Sequence, residues 1–72
     1  MVFAVVYAEN GDVVATYDSR ADAERDLAAF VGRDPGLQHE IGLRPYEGGR
    51  PVGAFAPASE VLADRLPQQH LV

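Results

Sequence analysis

His39, His70, Ser19, Ser59, eleven acidic residues and six arginines are the side chains best able to do chemistry in this 72-residue sequence. Neither histidine belongs to an HExxH or H-x-H arrangement, so metal-ligand spacing is missing. Both serines fall at the starts of helical patterns, where a hydroxyl caps backbone amides, and no G-x-S-x-G elbow surrounds either. Asp22 and Asp26 stand four apart on a helical stretch but away from its apolar stripe. Glu9 and Asp12 flank an Asn-Gly turn without the alternating acids and terminal Glu of an EF-hand loop. These residues predict no catalytic constellation, no metal and no cofactor, and hence a protein that is not an enzyme.

The most distinctive stretch runs from Arg44 to Gly53, Arg-Pro-Tyr-Glu-Gly-Gly-Arg-Pro-Val-Gly. Glycine-rich turns beside arginine can hold an anion through backbone amides and a guanidinium fork. Arg44, Gly48, Gly49 and Arg50 are therefore candidate residues for a small anion or nucleotide. The stretch is not a P-loop, because the G-x-x-x-x-G-K-[ST] pattern and its lysine are missing. Contact with a protein, or plain turn chemistry with Gly48-Gly49 serving positive φ, explains the same residues.

The formal charge is −5 and the pI about 4.7, with arginine as the only strong base. An acidic chain repels phosphate backbones and anionic membrane surfaces, which disfavours nucleic-acid and membrane partners and leaves a basic protein surface as the better match. Without cysteine, neither a disulfide nor a thiolate site can supplement a thin core. Eleven alanines and no lysine point to GC-rich coding DNA of the kind high-GC bacteria carry. The apolar opening from Val2 to Ala8 lacks a basic flank and is too short to span a bilayer, so the expected compartment is the cytoplasm.

These residues need elements to position them. Val2–Ala8 is β-rich and apolar on both faces, as in a central strand. Asn10-Gly11 predicts a two-residue type I′ turn, with Val13–Tyr17 returning so that Tyr7 faces Val14 and Val5 faces Thr16. Ser19 and Asp22 approximate a capping box for a helix over Arg20–Val31, whose stripe is Ala23, Leu27, Phe30 and Val31. Gly32 suits a left-handed cap, and Asp34-Pro35-Gly36 prevents continuation. Leu37–Tyr46 and Val52–Phe55 read as further strands. Pro57 fits the first position of a second helix bearing Ala58, Val61, Leu62 and Leu66, which Pro67 stops.

The expectation is an α+β fold in the order ββαββα, a four-stranded antiparallel sheet with two helices on one face. One domain would fill residues 1–67, followed by a tail over 68–72. Glu9, Gly11, Val14 and Tyr17 recur 38 positions later as Glu47, Gly49, Val52 and Phe55. That recurrence fits a ββα unit used twice, although turn and strand chemistry alone also generates such matches.

Two short helices can cover only one side of this sheet, so the other side should meet protein. The exposed set would be Phe3, Val5 and Tyr7, or Val6, Ala15 and Tyr17 in the opposite orientation. The resulting expectation is an acidic protein-interaction module, homodimeric, that regulates, neutralises or adapts another protein. Phe3, Val5, Tyr7, Arg44, Tyr46 and Arg50 are its expected contact residues. A small-anion binder using the Arg44–Arg50 hairpin is the alternative, and a sheet-face nucleic-acid binder is the second.

Overall fold

In the computed structural model, residues 1–63 are described. The apolar, β-branched opening forms β1 (Val2–Tyr7), which pairs antiparallel with β2 (Val13–Tyr17) on one side and β3 (Ile41–Glu47) on the other. Arg50–Pro51 (β4) and Ala56–Pro57 (β5) both pair with the outer side of β3, so the order is β2-β1-β3 followed by β4 and β5. Helices α1 (Arg20–Arg33) and α2 (Ala58–Val61) complete an α+β fold with an antiparallel sheet. Expected and observed fold class agree.

Ser19 caps α1 by accepting the Asp22 amide at 3.1 Å, while the Asp22 carboxylate turns to Arg25 at 3.0 Å instead of closing the box. Arg20 and Glu24 pair one turn apart at 2.7 Å. Ala23, Leu27 and Val31 enter the core, joined by Val5, Ile41, Leu43, Ala58 and Leu62. Phe30 is only half-buried, and the Arg33 guanidinium lies 5.7 Å from its ring centre. Strand alternation places Phe3, Val5, Ala15, Tyr17, Ile41 and Leu43 toward the helices.

Several local expectations are corrected. The first hairpin does not use a two-residue Asn10-Gly11 turn: Asn10 keeps negative φ, and its Oδ1 accepts the Asp12 amide at 3.0 Å. Val5 faces Ala15 and Val6 faces Val13, with Val14 bulging between them, so the register differs from the expected one. Helix α1 runs through Gly32 to Arg33 and ends where Asp34 precedes Pro35. Residues Pro35–His39 wind as a 3₁₀ turn, with Asp34 accepting the Gly36 amide at 3.2 Å, and only Ile41 begins the strand.

A further correction concerns Val52–Phe55, which leaves the ladder. Pro51 and Pro57 lack amide donors, and residues Val52–Phe55 between them form no ladder pairs. Pro57 precedes α2 as its cap instead of occupying the first helical position. The expected contribution of Leu66 and the stop at Pro67 lie outside the described residues, as do the domain end and the 68–72 tail.

Candidate functional site

The segment Val52–Ala56 determines what the second sheet face can present. Gly42 lies on that face between Val6 and Pro57. A Cβ at Gly42 would collide with the Ala56 carbonyl and come within 2.8 Å of the Phe55 Cζ, so the chain lies directly over this glycine. Beside it, the Arg44 Nε donates to the Gly53 carbonyl at 2.8 Å, and the Val52 amide donates to the Pro45 carbonyl at 2.9 Å. Ala4 and Val6, on the same face, are buried.

This arrangement redistributes the expected contact residues. Val5 is wholly buried beneath the helices and Phe3 packs against the same core, so neither forms an open partner surface. The opposite set fails for the same reason at its centre: Val6 is buried, and Tyr17 packs on the helix side. Tyr7 is exposed. Tyr46 is half-buried, opposite Val2 and Pro51.

The Arg44–Arg50 hairpin turns through Gly48 and Gly49 at φ 62° and 81°, the two positive values of a type I′ turn. Alternation along β3 puts Arg44 on the second face, while Arg50, opposite Glu47, falls on the helix side. The hairpin therefore does not bring Arg44 and Arg50 to one face as a fork. The same separation removes the arginine pair that a sheet-face nucleic-acid reading requires.

The structure instead assembles a corner that the sequence did not reveal. The end of β1 and the end of the 3₁₀ turn meet where the Ala8 amide donates to the Glu40 carbonyl at 2.8 Å. Around that bond Tyr7, Ala8, Glu9, His39 and Glu40 line an open cavity of about 290 Å³. His39 sits at the close of the 3₁₀ turn, not at a strand start. Two carboxylates, a phenol and an imidazole can accept a cationic side chain, but all are solvent-exposed. Among the described residues no group of three or more acids and histidines is placed to hold a metal.

Of the large apolar side chains around the first hairpin, Val13 is 47%, Val14 42% and Tyr7 41% exposed. The Tyr7 amide donates to the Asp12 carbonyl at 3.0 Å, and alternation puts Tyr7 on the helix side and Val13, opposite Val6, on the second face. At the other end of β2, burial raises the pKa of the Tyr17 hydroxyl above its ordinary value, helped by a hydrogen bond to Asp26 and that residue's negative charge. Ser19 is occupied as a helix cap.

No helix among the described residues is long and apolar enough to cross a membrane. No protein-family model matches the chain, and neither a curated protein nor a solved structure shows significant similarity to it.

Proposed function

We propose that this chain is a small acidic protein-interaction module of the cytoplasm that acts as a homodimer and regulates, neutralises or adapts a protein with a basic surface. One observation carries the reading: the exposed Tyr7 stands beside Glu9 and Glu40 at an open corner of the sheet. An apolar centre within a charged rim is the anatomy of a protein contact, the centre supplying affinity and the rim steering the partner. The chain's formal charge of −5 extends the same attraction beyond the rim.

The test is affinity capture from the native host, followed by titration of the purified captured protein. The same basic protein should bind wild type and be released by salt. Tyr7→Ala should weaken it at least tenfold, and Glu9→Gln with Glu40→Gln should chiefly slow association. Binding indifferent to all three substitutions would refute this corner as the contact.

A further inference from the structure

The two edges of the sheet differ in chemistry. Beyond β3, the short strands β4 and β5 carry Pro51 and Pro57, which cannot donate to an added strand. At the opposite edge, β2 reads Val-Val-Ala-Thr-Tyr, with neither proline, glycine nor charge. Natural sheets usually guard such an edge with lysine, proline or a covering element. Here Asp12 and Asp18 stand only at its ends, and the bulge at Val14 leaves Ala15–Tyr17 as the regular part.

The direction of its backbone groups follows from β1. The Tyr7 amide and carbonyl both bond toward β2, to Asp12 and Gly11, whereas the Ala8 amide bonds toward the β3 side at Glu40. Antiparallel alternation then turns Phe3 and Val5 toward Tyr17 and Ala15, and directs the N–H and C=O of Thr16 outward. Among the described residues no hydrogen bond reaches Thr16 from outside the sheet.

We infer that β2 pairs antiparallel with β2 of a second copy, about a two-fold axis at Thr16. The inference rests on reading the chain as an interaction module and deepens its homodimer. Centred on Thr16, the register sets threonine against threonine, small Ala15 against large Tyr17, and Val14 against Asp18. Threonine pairs and small-against-large pairs are favourable across strands. Centred on Ala15, it would need Val14 to exchange hydrogen bonds with Thr16 of the second copy, and the bulge disrupts Val14, which selects the Thr16 register. Because prolines close the other edge, pairing stops at a closed dimer and does not propagate into a filament.

Sedimentation from tens of micromolar to about 1 mM should show the mass rising from 7.8 kDa toward twice that value. Since each copy carries −5, association should strengthen between about 0.1 M and about 1 M salt. Thr16→Lys, which sets two ammonium groups at the axis, should yield a folded monomer, while Thr16→Val should still dimerise. The wild-type Thr16 amide should exchange more slowly as concentration rises. If Thr16→Lys does not fold, that exchange experiment decides the matter. A monomer at 1 mM with a freely exchanging Thr16 amide, or a dimer unaffected by Thr16→Lys, overturns the inference. Capture of a basic partner that survives Thr16→Lys would leave the interaction reading intact even so, because Tyr7→Ala tests that reading separately.

Discussion

Val5 and Leu43 face each other across the central strand pair, and they are 38 positions apart, the interval that separates Gly11 from Gly49. An antiparallel pair has a local two-fold axis at its centre, and the 38-position interval coincides with it at Val5 and Leu43. Phe3–Pro45 and Tyr7–Ile41, the pairs two steps to either side, exchange under the same operation. Gly11 and Gly49 both adopt positive φ, at 75° and 81°. The relation fails after the second hairpin. Tyr17 packs on the core, whereas its counterpart Phe55 lies over Gly42, and the buried Ala23/Leu27 pair recurs as Ala58/Leu62 after 35 positions.

Gly42 is where the fold tolerates no side chain. Gly42→Ala would drive a methyl group into the Ala56 carbonyl, a backbone atom that cannot swing aside. The expected loss is at or above the upper end of the about 1–3 kcal/mol typical of overpacking. Urea denaturation checks it, with Gly32→Ala as control because a Cβ there meets nothing within 4 Å.

Leu27 and Phe30 share a helix but differ in burial. Leu27→Ala empties a fully buried position and should cost about 2–5 kcal/mol. Phe30→Ala should cost less than about 3 kcal/mol, the floor for a fully buried phenylalanine, because its ring is only partly buried and lies beside the Arg33 guanidinium. A thermal melt in which Phe30→Ala is the more damaging of the two would contradict this packing.

Arg44 acts as a clamp on the segment that lies over the second face. Arg44→Met keeps much of the aliphatic stem but leaves the Gly53 carbonyl without its 2.8 Å donor, at a cost of about 1.5–3 kcal/mol. Faster amide exchange at Val52, whose bond to Pro45 sits beside the clamp, is the specific readout.

Tyr17 links stability to alkaline pH. Its pKa is raised by burial and by Asp26, so the folded state binds the hydroxyl proton more tightly than the unfolded chain. The stabilisation is complete below the ordinary value of 10.0 and disappears as pH rises through the raised folded value. Stability measured between about pH 9 and pH 11 should fall in wild type and fall less steeply in Tyr17→Phe.

What the sequence determined by itself is local. The Ser19 cap, the Ala23–Leu27–Val31 stripe, the β character of Val2–Tyr7 and the Gly48-Gly49 turn each depend on neighbours within a few positions, and each stands in the structure. Tertiary structure decided everything that depended on competition between distant parts. Asn10-Gly11 had the composition of a tight turn, but the β1–β2 pairing and its bulge at Val14 imposed a longer loop. Val52–Phe55 had the composition of a strand, but it lies between two prolines and leaves the ladder, and its Phe55 ring comes to lie over Gly42. The corner of Tyr7, Glu9, His39 and Glu40 exists only because β1 and β3 pair, bringing together residues more than thirty positions apart. Periodicity encodes which face of an element is apolar; only packing determines what comes to lie against it.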